Sequence, residues 1–172
     1  MKMRCTARRA LVVLAVAALA APACRKPKSD EELIRAIFGR AAQAAEEKRP
    51  GDVVADVSER FRAGELDRDG VRRTVAGVIL RGGWLSASIA KAHVLVAGDA
   101  ASAVVDVLLA QAAGARSLAD LAPREAAGHR FDVRLAREPD GWRVTAARWA
   151  PVELSDALAG PPEPSPPSEP LD

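Results

Sequence analysis

Arg130-Phe131-Asp132-Val133-Arg134-Leu135 alternates charged and apolar residues without a break. A period of two is the mark of a half-buried strand, with Phe131, Val133 and Leu135 on one face. Glu138-Pro139-Asp140-Gly141 follows. Proline presets φ, aspartate bonds its own backbone and glycine tolerates positive φ, so the chain turns here. Trp142-Arg143-Val144-Thr145 resumes the alternation, and the whole predicts a β-hairpin. Upstream, Ala101, Ala103, Val105, Val107 and Leu109 share one face, and Ala92, Val94 and Val96 alternate with Lys91, His93 and Leu95. Gly98-Asp99 is the turn between these two runs. Leu85, Ala87 and Ile89 are odd-numbered whereas Ala92, Val94 and Val96 are even-numbered. One extra residue flips which side chains face the core, so a β-bulge is expected between Ile89 and Lys91. From Trp84 to Pro151 the chain therefore reads as four strands in series.

The segment before Trp84 reads as helices that cover this sheet. Ser29-Asp30-Glu31-Glu32 is a capping box, and Leu33, Ile34, Ile37, Phe38, Ala41 and Ala45 then recur at helical spacing. Pro50-Gly51 stops the helix, which spans about Asp30 to Lys48. Its polar face carries many acids, so the apolar stripe is read as packing on a sheet rather than on a membrane surface. Asp52 is the expected cap of a short helix carrying Val53, Val54 and Val57. Ser58 to Glu65 reads as a polar connection holding Phe61. A third helix, from Asp67 or Asp69 to Leu80, places Val71, Val75, Val78 and Ile79 on one side, and Gly82-Gly83 ends it. Gln111 to Gly128 reads as a long alanine-rich loop between the second and third strands.

The N-terminus carries an address. Met1 to Arg9 holds four basic residues and no acid, and Ala10 to Ala23 is an uncharged, mostly apolar run. About 14 residues is short for a bilayer span and suits the core of a signal peptide. Ala20-Ala21-Pro22-Ala23-Cys24 resembles the bacterial lipoprotein signal, in which the cysteine is lipidated and becomes the mature N-terminus. Residues 1–23 are then the leader and 24–29 a tether. Ala21 stands where that signal usually has leucine. Ala21-Pro22-Ala23 also meets an ordinary small-x-small cleavage rule, which makes a secreted soluble protein the alternative. The other cysteine, Cys5, leaves with the leader, so no internal disulfide is expected. The expected location is the cell envelope, membrane-anchored through Cys24.

Processing also changes the charge. The full chain has 25 basic and 23 acidic residues. Removing Lys2, Arg4, Arg8 and Arg9 leaves 21 basic residues and a net charge of −2. With no basic stripe interleaved with aromatics, nucleic-acid binding is not expected. At the other end, six of the 12 prolines fall between Pro161 and Pro170. No apolar residue repeats there, so residues 153–172 read as an extended, disordered tail, either plainly solvated or a ligand for a proline-reading partner.

The order of elements resembles the nuclear transport factor 2-like fold, the cystatin-like α+β fold of ketosteroid isomerases and polyketide cyclases. The matching pieces are Val53 to Phe61, the helix Val71 to Leu80, Val94-Leu95-Val96-Ala97-Gly98-Asp99-Ala100-Ala101 and the Trp142 hairpin, within residues 30–152. The resemblance implies a cone: a curved antiparallel sheet of four or more strands packed on about three N-terminal helices, with a pocket at the open end. It also implies dimers formed through the outer sheet face. Enzymes of this fold use an aspartate or histidine in the cone, and Asp106 is the candidate general base, since burial would raise its pKa. Its alternative is a place on the outer side, or a pair with an arginine of a neighbouring strand. His93 and His129 read as surface or strand-end residues. There is no tyrosine, so the phenolic donor of ketosteroid isomerases is absent. No metal-ligand spacing occurs and no cofactor is expected. Trp84, Phe131 and Trp142 are the pocket-lining candidates, with core packing beside Val144 as the other reading of Trp142. The arginines Arg81, Arg130, Arg134, Arg143 and Arg148 read as a solvated face paired with Asp132 and Glu138. The favoured function is a non-catalytic domain binding a small molecule or protein. The alternative is an envelope enzyme of the isomerase or cyclase kind that uses Asp106.

Overall fold

The computed structural model describes residues 27–80, 86–110, 126–169 and 171. Helix α1 (Asp30–Glu46) starts at the expected capping box, with the Glu32 amide donating to Ser29 Oγ at 3.2 Å and the Ser29 amide donating to Glu32 at 2.8 Å. A short helix α2 (Pro50–Val53) follows, with proline in its first turn, where a missing N–H costs nothing. Helix α3 (Arg68–Leu80) begins at Asp67, whose carboxylate accepts from the Gly70 amide at 2.7 Å.

Among the described residues five strands form one sheet: β1 (Val57–Arg62), β2 (Ser86–Ala97), β3 (Ala100–Ala110), β4 (Ala126–Glu138) and β5 (Gly141–Val152), in the order β1-β5-β4-β3-β2. The two hairpins predicted from alternation are β2–β3 and β4–β5, and the expected bulge lies between Ile89 and Lys91. A second register shift, opposite Arg134 and Leu135, makes Thr145 the extra residue of β5. Such bulges bend a strand and strengthen its twist.

The fifth strand is a departure, and it makes the sheet mixed rather than purely antiparallel. Residues 58–65 read as a polar connection, yet Val57–Arg62 is an edge strand running parallel to β5. Its period is hidden because the buried side chain at Ser58 is polar. The Ser58 hydroxyl donates to Glu138 at 2.7 Å, so strand burial there is satisfied by a hydrogen bond rather than by an apolar group. The end of the long loop also differs: Ala126–Gly128 already belongs to β4, where it pairs with Leu108–Ala110. Residues 111–125, Gly82-Gly83 and Trp84 lie outside the described residues.

The core lies between α1 and one face of the sheet. Ile34 and Ile37 meet Ala92, Ala101, Ala103, Val105, Val133, Leu135 and Val144, with Phe61 closing the β1 side. Arg35 ties the helix to the bulged strand by donating to the Ala92 carbonyl at 2.6 Å.

Residues 153–172 read as disordered from their prolines. In the structure Leu154–Ala159 is a short helix, α4, and the following residues run across the outer face of the sheet. Ala157 is fully buried and Pro161 is buried. Proline forbids ladder hydrogen bonds but does not forbid an extended chain from lying on a surface, so composition alone misreads this segment.

Candidate functional site

The two faces of the sheet carry different chemistry. On the helix-facing side, register places His129, Phe131, Val133 and Leu135 of β4 beside Val107, Val105, Ala103 and Ala101 of β3. The bulge at Thr145 brings Ala147 and Trp149 of β5 onto the same side. The Phe131 and Trp149 rings stack with centroids 6.2 Å apart and planes 29° from parallel. Trp149 is 43% exposed, so one surface of this aromatic pair is open. His129 is half-buried between Val107 and Pro151, and its Nδ1 atom is buried without a hydrogen-bond partner among the described residues. An unpartnered polar atom in such a place costs stability unless something else satisfies it.

Trp149 also forms a wall of a cleft of about 560 Å³ with Arg62, Ala63, Gly64, Ala147 and Leu171. The cleft is the notch where β1 stops at Arg62 while β5 continues to Val152. Its floor is small and apolar and its rim carries Arg62 and Arg148. Arg148 is engaged with Asp132 at 3.0 Å.

Asp106 is elsewhere. It is fully buried on the opposite face of β3, where the Arg130 guanidinium grips it bidentately at 2.7 and 2.8 Å. That pair holds the Arg130 guanidinium firmly in its charged form. The carboxylate thus has two charge-assisted donors and no view of the helix-facing side, the arrangement of a structural ion pair rather than of a general base. The helix-facing positions of β2 to β5 named above include no carboxylate that takes over the role. Among the described residues no group of three or more His, Cys, Asp or Glu side chains is placed to hold a metal ion.

Trp142 is a core residue at the turn end of the sheet, 4% exposed. Its indole N–H donates to Asp30 at 3.0 Å, and the Arg137 guanidinium lies 4.6 Å above its ring. Those contacts hold the Asp30 carboxyl below the usual carboxylate range, the Trp142 hydrogen bond first and Arg137 second. Trp142 does not line the cleft. Phe131 reaches it only through Trp149, and Trp84 and Cys24 lie outside the described residues. The structure therefore brings His129, Phe131 and Trp149 together and leaves Asp106 and Trp142 apart from them. His129 was legible: carrying the alternation of Phe131, Val133 and Leu135 one step upstream puts it on the same face. Trp149 was not, because the bulge at Thr145 reverses its parity.

The expected solvated arginines of the sheet are mostly tied down. Arg143 bonds Asp56 at 3.3 Å and the Ala55 carbonyl at 3.0 Å, and Arg134 donates to the Glu169 carbonyl at 2.8 and 3.0 Å. Glu138 takes Ser58 and Arg60 rather than an arginine of β4 or β5. Arg81 is outside the described residues.

No protein-family model matches the chain, and no curated protein does. Solved structures do. The chain is similar to a nuclear transport factor 2-like protein with a cystatin-like fold from Novosphingobium aromaticivorans, at 17% identity over 76% of this chain and 86% of that one, with a TM-score of 0.56. The fold is nuclear transport factor 2-like. An uncharacterised protein with a cystatin-like fold from Caulobacter vibrioides is similar at 14% identity over 77% and 96% of the two chains, TM-score 0.56. A nuclear transport factor 2-like protein of unknown function from Pseudomonas putida is similar at 18% identity over 70% and 84%, TM-score 0.54. Identities this low speak for the fold alone, and a nuclear transport factor 2-like domain hosts enzymes, binders and scaffolds alike. The outer sheet face, through which the resemblance implied a dimer, is occupied here by the chain's own residues 154–169.

Proposed function

We propose that the chain is an exported lipoprotein, tethered to a membrane of the cell envelope through Cys24, whose nuclear transport factor 2-like domain binds a flat apolar ligand without transforming it. The supporting observation is the open end of the helix-facing sheet side, where the Phe131–Trp149 pair offers an aromatic surface and His129 Nδ1 is buried without a partner. An aromatic plate beside one unsatisfied polar atom suits a ring that carries a single hydrogen-bonding group. The buried, ion-paired place of Asp106 on the outer face supports a binding rather than an isomerase reading. The leader, its small residues and Cys24 support the tether, and no helix among the described residues is long and apolar enough to cross a membrane by itself.

Tryptophan fluorescence titrated with 1-naphthol, a flat ring with one hydroxyl, tests the binding site. Saturable quenching in the parent chain, weakened at least about tenfold in Trp149→Ala and in His129→Leu, supports it. Linear, unsaturable quenching in all three rejects it. Mass spectrometry of the mature N-terminus tests the address separately: a diacylglycerol-modified Cys24 supports the tether, and an unmodified or absent Cys24 rejects it.

A further inference from the structure

The segment after β5 is built to fit the outer sheet face, and three independent features of the sequence serve that fit. At Gly128, an added Cβ would lie 2.9 Å from the Val152 carbonyl oxygen and 3.1 Å from Ala157 Cβ, so glycine is what lets α4 approach β4. At Gly160, φ is 101° and the chain crosses over the Lys91 stem, a conformation that L side chains rarely adopt. At Ser102, fully buried near the start of β3, the hydroxyl donates to the Ser165 carbonyl at 2.6 Å. Arg130 Nη2, which also holds Asp106, lies at a long 3.5 Å from the Gly160 carbonyl.

The segment is nevertheless attached lightly. Its prolines cannot donate to a strand, and it contributes no strand to the sheet. The Glu153 side chain makes no capping bond to α4. When the segment lifts, every ladder bond of β2, β3 and β4 survives, and so does the Asp106–Arg130 pair, which is internal to the sheet. The buried seats of Ala157 and Pro161, the cover over Val104 and the hydrogen bonds to the segment's carbonyls are lost, and water replaces those hydrogen bonds. An element with no share in the ladder opens before the domain unfolds.

We propose that residues 153–169 are a hinged strap that opens as a unit on an otherwise folded domain, turning about Glu153, and uncovers the outer sheet face around Ser102. Ser102 and Ala103 give the test. They are neighbours on β3, both fully buried, and face opposite ways. In the full chain carrying Cys5→Ser and Cys24→Ser, the Ser102→Cys and Ala103→Cys variants are treated with a thiol reagent. The thiol at position 102 is expected to react at least about tenfold faster than the one at position 103, with little dependence on low urea, because only the strap must move. It is expected to react at least about tenfold slower than in a chain ending at Val152, where the strap is gone. Gly128→Ala, which pushes against Ala157, is expected to speed the reaction at position 102 and leave position 103 unchanged, and it carries the test if the shortened chain does not fold. Equal rates at the two positions with the same urea dependence overturn the proposal, because the strap would then open only with the whole domain. A rate at position 102 in the full chain equal to that of a free thiol also overturns it, because the strap would then not be seated.

Discussion

The helix-facing and outer sides of the same sheet are sealed by different means. The inner side is closed by apolar side chains at alternate positions, Ala101, Ala103 and Val105 on β3 against Ile34 and Ile37 on α1. The outer side of that strand carries Ser102, Val104 and Asp106, and these too are almost wholly buried. There the cover is a proline-rich strap, and the buried polar groups are answered by Arg130 and by strap carbonyls. An apolar seal is non-directional and tolerates small shifts, whereas a polar one requires each donor to meet its acceptor. The comparison shows that depth of burial does not tell which kind of closure holds a face.

The largest effect is expected on the inner side. Phe61→Ala removes the ring that closes the β1 edge of the core and should cost about 3–5 kcal/mol in chemical denaturation. A loss below about 1 kcal/mol would mean that β1 is peripheral and would erase the inner side's claim to be the main core. On the outer side, Arg130→Met strands a fully buried carboxylate and should cost about 3 kcal/mol, most of it regained in the Asp106→Leu/Arg130→Met double variant. If the double variant is no better than the single, the pair contributes packing that apolar side chains cannot replace. His129→Leu reverses the usual sign: it deletes the unpartnered Nδ1 from an apolar side and should stabilise the unliganded domain by about 1 kcal/mol. Destabilisation would show that Nδ1 has a partner after all.

The smallest effect concerns acid. Asp30 is held below its ordinary value of 3.8 by Trp142 and Arg137, and Glu138 below 4.5 by Ser58 and Arg60. A carboxyl whose folded pKa is depressed contributes stability above its unfolded pKa and loses it as pH falls through the folded one. Thermal unfolding should therefore be flat from neutral pH down to about 4.5 and fall below it, slightly less so in Asp30→Asn. An unchanged melting temperature down to about pH 3 would contradict the linkage.

What could be read from residues alone was whatever repeats locally. Alternation exposed both hairpins, the phase change between Ile89 and Ala92 exposed a bulge, and Ser29 with Glu32 exposed the start of α1, because each depends on neighbours within a few positions. Parity also put Asp106 opposite Val105 and Val107. It could not say that this side would be sealed by a strap rather than wetted. The strand at Val57–Arg62 was invisible because its parallel partner, β5, lies far along the chain and its buried Ser58 is satisfied by Glu138.

The sequence by itself determined the two hairpins, the first bulge and the start of α1, since periodicity, caps and turn chemistry are short-range properties. Only the tertiary structure decided what lies against each face: the strap over Ser102, the grip of Arg130 on Asp106, and the meeting of His129, Phe131 and Trp149. Those contacts join residues that have no local reason to prefer one another, and they form because the folded sheet brings them within reach.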